Sequence, residues 1–133
     1  MKKSTKNLGQ LFLPIILIFA LSITAFASSY SSTFQFKVGR ETPVRNYTGQ
    51  NISFSATSSQ DWQCSQNYYY QIELWRSISW SKDAKIGTVS NMPREGYKQA
   101  KWSNVGSGDY YFVLSKANDG VTLKSNDVKM KNY

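Results

Sequence analysis

The chain has 133 residues with 16 Lys and Arg against 8 Asp and Glu, a net charge of +8, and a size that suits one modest domain. It contains no His, which excludes Ser-His-Asp and Cys-His catalysis and His-ligated metal sites. Its single Cys excludes an intramolecular disulfide and a cysteine zinc cluster.

Lys2, Lys3 and Lys6 open the chain, an apolar run follows from Leu11 to Leu21, and Ala25, Phe26 and Ala27 place small residues where a signal peptidase requires them. This pattern predicts a signal peptide over 1–27, cleaved after Ala27, and a secreted single domain over 28–133. The run holds Pro14 and falls short of the roughly 20 apolar residues that span a bilayer, so no stable membrane span is expected. No Cys follows it to take a lipid anchor. Loss of three Lys leaves a net charge of about +5, which favours anionic cell-envelope polymers as partners. The basic residues are scattered along the chain rather than massed in one tract, which also reads as solubility and predicts no nucleic-acid partner.

Beyond residue 28 the apolar period is two. Phe34, Phe36 and Val38 alternate with polar neighbours, as do Ile52, Phe54 and Ala56, and each set reads as a strand with one buried face. The intervening Arg40 to Gln50, with Pro43 and Gly49, reads as a connecting loop. Tyr68 to Ser77 is the longest candidate. Its even positions, Tyr68, Tyr70, Ile72 and Leu74, face the core, its odd positions face outward, and Arg76 breaks the rule, either where the strand leaves the core or at a bulge that turns its side chain outward. Lys85 to Ser90 carries Ile86 and Val89, and a loop runs from Asn91 through Arg94 to Gly96. Tyr97 to Val105 holds Ala100 and Trp102, and a turn at Gly106 to Asp109 leads into Tyr110 to Ala117. Asn118, Asp119 and Gly120 form a hairpin-type turn before two last pieces, Val121 to Lys124 and Val128 to Met130. Seven to eight short strands without a helical period predict an all-β fold, an antiparallel β-sandwich of Ig-like or jelly-roll-like type, with a small barrel as the alternative.

The run Trp102-Ser-Asn-Val-Gly-Ser-Gly-Asp-Tyr-Tyr-Phe-Val-Leu-Ser115 resembles a stretch of small secreted β-sandwich proteins of Gram-positive type. It is distantly similar to bacterial pre-peptidase C-terminal and carbohydrate-binding-like domains. The resemblance extends over Trp102 to Met130 and implies the sandwich fold, with Gly108 allowing the turn and Tyr and Phe filling the sheet interface. It supplies no catalytic or ligand motif.

Sugar hydrolysis needs two carboxyl groups held apart, one with a raised pKa. Asp109 and Asp119 have turn roles, Asp61, Asp83 and Asp127 sit among solvated loop residues, and mid-strand Glu73 suits a cross-strand partner for Lys. The expectation is therefore a non-catalytic protein with no cofactor and no metal, although Asn118, Asp119, Asn126 and Asp127 offer oxygens of the type calcium takes.

The aromatic content is high, and flat Trp and Tyr rings flanked by amide and carboxyl groups suit sugar faces and hydroxyls. Tyr69, Gln71, Glu73 and Trp75 project from one face of the long strand, with Tyr111 on a neighbouring strand. These five are the candidate binding residues, set against the alternative that such rings only fill a core. Trp62 and Trp80, in loops, are secondary candidates. Cys64, in a polar setting, is a candidate for an intermolecular disulfide-linked dimer. Three readings follow: a polysaccharide-binding module, a basic membrane-active or antagonistic factor, and a self-associating matrix or surface protein.

Overall fold

The computed structural model describes residues 28–63 and 68–133, so the signal peptide expected over 1–27 and the dimer candidate Cys64 lie outside the described residues. It is an all-β sandwich of two antiparallel sheets. The strands are β1 (Ser29–Phe36), β2 (Gly39–Glu41), β3 (Arg45–Tyr47), β4 (Ile52–Gln60), β5 (Tyr69–Arg76), β6 (Ala84–Pro93), β7 (Gly96–Trp102), β8 (Gly108–Ser115) and β9 (Leu123–Asn132). The first sheet has the order β1-β9-β4-β7. The second has β2-β8-β5-β6, with β3 also pairing β8.

Period-two alternation produces this layout because each strand can bury only one face. Phe34, Phe36, Ile52, Phe54, Ala56, Ala100, Trp102, Leu123, Val128 and Met130 line the inner face of the first sheet. Tyr70, Ile72, Leu74, Met92, Tyr110, Phe112 and Leu114 meet them from the second. Phe112 is the hub of the contact. Its ring lies 5.1 Å from Phe54, 5.6 Å from Trp102 and 6.5 Å from Tyr47, at tilted to edge-on angles that aromatic quadrupoles favour. A side-chain hydrogen bond also crosses the gap, 3.0 Å between the Ser58 and Tyr70 hydroxyls, so the buried phenol is satisfied.

Several expectations are corrected. Arg40 to Gln50 is not a simple loop, because β2 and β3 form within it and both pair with β8. Pro43 separates the two short strands, and Thr42 bridges the break by accepting the Phe112 N–H at its hydroxyl and donating its own N–H to the Phe112 carbonyl. Val121 to Lys124 and Val128 to Met130 are not separate strands. From Leu123 on they belong to β9, with Val121 and Thr122 preceding it, and β9 keeps its pairing with β1 and β4 across irregularities opposite Ser32 to Phe34 and Ala56 to Ser59. Val38 lies past the end of β1 and Tyr68 before the start of β5, and both are exposed rather than core-facing.

Turn chemistry also serves a different topology from the one expected. Among consecutive strands only β5 and β6 are hydrogen-bonded neighbours, and β6 to β7, β7 to β8 and β8 to β9 all pass from one sheet to the other. Gly96, Gly106 and Gly120 supply the left-handed backbone at these crossings. At the second of them the Tyr110 hydroxyl donates back to the Val105 and Gly106 carbonyls at 2.6 and 2.8 Å, which ties the corner to the strand it feeds.

The crossings at β6–β7 and β8–β9 are joined by ions. Arg94 is only 1% exposed. Its Nη1 meets Asp119 Oδ2 at 2.5 Å and its Nε donates to the Tyr69 carbonyl at 3.1 Å, while the fully buried Lys116 ammonium donates to Asp119 Oδ1 at 2.7 Å. Burial alone would raise the Asp119 carboxyl, but the hydrogen bonds from Lys116, Arg94 and the Val121 N–H and the Arg94 charge outweigh it and hold it well below the usual carboxylate range. A carboxylate lowered in this way stabilises the fold above the ordinary Asp value of about 4, and that contribution fades as pH falls.

Asp119→Asn strands two buried cations, so chemical denaturation at pH 7 should show a loss of about 3–5 kcal/mol. The gap to wild type should narrow as pH falls below about 4, because wild type then surrenders the same contribution. A gap that stays constant into strong acid would show that Asp119 does not carry this charge linkage.

Candidate functional site

The five sequence-selected residues come together on the outer face of the second sheet. Tyr69, Gln71, Glu73 and Trp75 occupy alternate positions of β5, which runs beside β8 with Gln71 opposite Ser115, Glu73 opposite Val113 and Trp75 opposite Tyr111. At the strand rise of about 3.3 Å per residue the row from Tyr69 to Trp75 is about 20 Å long. Tyr69 is exposed, Gln71, Glu73 and Trp75 are partly buried, and Tyr111, at 8% exposure, is more enclosed than its outward position suggests.

Trp75 and Tyr111 form the centre of this face. Their rings lie 15° from parallel with centroids 6.4 Å apart, so they lie offset rather than overlapping squarely. Each is pinned at its polar edge. Trp75 Nε1 donates to Glu73 Oε2 at 2.8 Å, and Glu73 Oε1 accepts from Lys85 Nζ at 3.1 Å. Lys85 stands opposite Trp75 on β6, and its ammonium lies 5.8 Å from the centre of the indole ring. Glu73 is thus the cross-strand partner for Lys that its mid-strand position suggested. The Trp75 hydrogen bond, followed by Lys85, holds its carboxyl below the ordinary value against a smaller opposing effect of burial.

The Tyr111 hydroxyl donates to Asp83 Oδ2 at 2.9 Å, and Asp83 Oδ1 accepts the Ile78 N–H at 3.1 Å. Asp83 therefore does more than sit in a solvated loop. It folds the β5–β6 connection back over the aromatic pair. Burial, then the Asp83 hydrogen bond and the negative charges of Asp83 and Glu41, push the Tyr111 phenol up to about 12.

At the Tyr69 end the face opens into a cleft of about 370 Å³ lined by Tyr69, Gln71, Ser90, Arg94, Ser115 and Lys116, among others. Sequence reading missed the contribution of Arg94 and Lys116 because each looked like one more scattered surface cation. Their only visible signal was Asp119, whose turn role accounted for it already. At the Trp75 end a second hollow, about 620 Å³, is bordered by Arg76, Ile78, Trp80 and Ile86, with Trp80 87% exposed. Arg76, the last residue of β5 and opposite the buried Tyr110, stands where the strand leaves the core, donating to the Ser107 carbonyl at 3.2 Å and lying over the Tyr110 ring. A side chain at Gly108 would come within 3.1 Å of that guanidinium, which is the close approach that glycine permits here. Trp62 is exposed beyond the end of β4.

Of the residues considered for calcium, Asp119 is engaged within the protein. Both Asp119 oxygens face cations of the protein. Among the described residues no three His, Cys, Asp or Glu side chains cluster as metal ligands, and no helix is long and apolar enough to cross a membrane. Comparison with family models, with curated proteins and with solved structures finds no match for this chain.

Tyr111→Phe removes one buried hydrogen bond and should cost about 1 kcal/mol at pH 7. A phenol raised in the folded state contributes stability that is complete below about pH 10 and is lost as pH rises toward the folded value. Denaturation of wild type and variant should therefore converge between pH 10 and 12, and parallel curves across that range would contradict the assigned environment of Tyr111.

Proposed function

We propose that the protein is a non-catalytic, secreted binding module that takes a cell-envelope or extracellular polysaccharide along the outer face of β5 and β8. The observation that carries this reading is the Trp75–Tyr111 pair, two near-parallel rings directly opposite in register and fixed at both polar edges. A ring held in place before ligand arrives loses little rotamer freedom on binding, so its contact area converts more fully into affinity. Glycan rings present C–H faces that pack on such aromatics, and the polar groups beside them match hydroxyls. Gln71, Ser90 and Ser115 at the cleft and the Glu73–Lys85 pair at the centre supply those groups along the same row.

The length of the row suits several sugar units rather than one. Tyr69, more than half exposed, adds a mobile aromatic edge at the cleft end. Glu73 and Asp83 serve as partners in structural pairs, with Glu73 bound to Trp75 and Lys85 and Asp83 to Tyr111 and the Ile78 N–H. That division of labour fits recognition better than acid–base chemistry.

Pull-down of purified protein with insoluble cell walls and a panel of polysaccharides, at low and moderate salt, tests the reading. Binding should survive moderate salt, and both Trp75→Ala and Tyr69→Ala should weaken it, Trp75→Ala by about tenfold or more as for a buried aromatic anchor. Because Tyr69 is exposed, its variant keeps the test valid if the Trp75 variant is destabilised. Retention that both variants leave unchanged, or that salt abolishes, would remove this face as the sugar site.

A further inference from the structure

The two outer faces of the sandwich carry opposite chemistry. On the second sheet the cation Lys85 is neutralised by Glu73. On the first sheet, pairing places Ser29, Lys131, Ser53 and Lys101 in one row across β1, β9, β4 and β7, and Ser31, Lys129, Ser55 and Gln99 in the next. Lys124 continues the face, flanked by Gln35 and Ser59. The four lysines are exposed and make no ion pair among the described residues, and Lys101 only leans on the Tyr133 ring at 5.1 Å. Within the strands of this sheet the sole outward acid is Asp127, at the irregular stretch of β9 between Lys124 and Lys129.

These lysines are far apart in sequence, and it is strand register that collects them. Neighbouring outward positions on β9 lie about 7 Å apart, and Lys101 stands two strands, about 10 Å, from Lys131. Serines fill the positions between, exposed at Ser29 and Ser31 and buried at Ser53 and Ser55, and the exposed aromatic of this face, Tyr97, stands near the start of the edge strand β7. Unpaired like charges at this spacing repel one another and are relieved by a partner with regularly repeated negative charge.

We infer that the Lys101–Lys124–Lys129–Lys131 face of the first sheet is a second binding surface, for a linear phosphodiester polymer of the glycerol or ribitol phosphate type. Each phosphodiester carries one charge, ammonium groups bind phosphate as point charges without demanding a fixed angle, and the exposed Ser29 and Ser31 hydroxyls beside them suit the polyol between phosphates. A base-free chain needs no aromatic stacking platform, and the centre of this face has none. The surface lies across the sandwich from the aromatic row, so the two can be occupied together.

Titration of the full protein with poly(glycerol phosphate) at several salt concentrations tests the inference. Binding should weaken steeply with salt, and the triple variant Lys101→Gln, Lys129→Gln, Lys131→Gln should lose about tenfold or more and flatten the salt slope by about two to three. The double variant Arg40→Gln, Lys82→Gln, both outside the first sheet and exposed, should lose much less. Equal losses per charge removed in the two variants would show only diffuse attraction and overturn the site, as would no binding by wild type. Vesicles of phosphatidylglycerol and single-stranded DNA form the other arms. Tighter binding of either through the same lysines would overturn the assignment to a polyol phosphate.

Discussion

The fold turns on burying Arg94. A guanidinium removed from water is tolerated where its charge is met, and the groups that meet Arg94 Nη1 and Nε come from separate parts of the chain: Asp119 from the β8–β9 crossing and the Tyr69 carbonyl from the start of β5, while Nη2 is buried without a hydrogen-bond partner among the described residues. Arg94 itself sits in the β6–β7 crossing, and its backbone N–H donates to the Tyr68 carbonyl. Lys116, at the end of β8, completes the cluster. Apolar burial between the sheets supplies most of the stabilisation but is non-directional. The ionic cluster specifies which crossings meet at this end, and with them the entrance of β5 and the walls of the cleft.

From that fixed end the outer face of the second sheet acquires its order. β5 leaves the cluster in a defined register with β8, which puts Trp75 opposite Tyr111, and the β5–β6 connection is folded back by Asp83 onto the Tyr111 hydroxyl. The rings are held by hydrogen bonds at their edges and by neighbours at their sides, so the face is organised before any ligand arrives. The first sheet has no comparable network on its outside. Its lysines are separated by serines and left without counter-charges, and the same fold therefore presents one surface shaped for contact area and another shaped for charge.

Much of this was legible in the sequence wherever a single period decided the outcome. Tyr70, Ile72 and Leu74 against Tyr69, Gln71, Glu73 and Trp75 gives both the core side and the outward row of β5, because alternation is a local property of an extended backbone. What escaped depended on partners distant in sequence. β2 and β3 are three residues each, too short to show alternation, and they exist because β8 offers an edge to pair with. The bulged middle of β9 carries Ser125, Asn126 and Asp127, whose polarity reads as a loop although pairing resumes on either side. Arg94 lies in a turn beside Pro93, Glu95 and Gly96, a setting that reads as a surface loop. The lysine face could not be seen in a list of scattered cations, since register across four strands is what brings them together.

The most direct measurement of the central claim is backbone-amide NMR of the protein titrated with soluble fragments of cell-wall glycan. Shifts should concentrate on the outward positions of β5 and β8, from Tyr69 and Gln71 through Trp75 and Tyr111, and extend to Ser90 and Ser115 at the cleft. Shifts confined to the loops bearing Trp62 and Trp80, or to the outer face of the first sheet alone, would contradict the claim that the pinned aromatic row is where glycan binds.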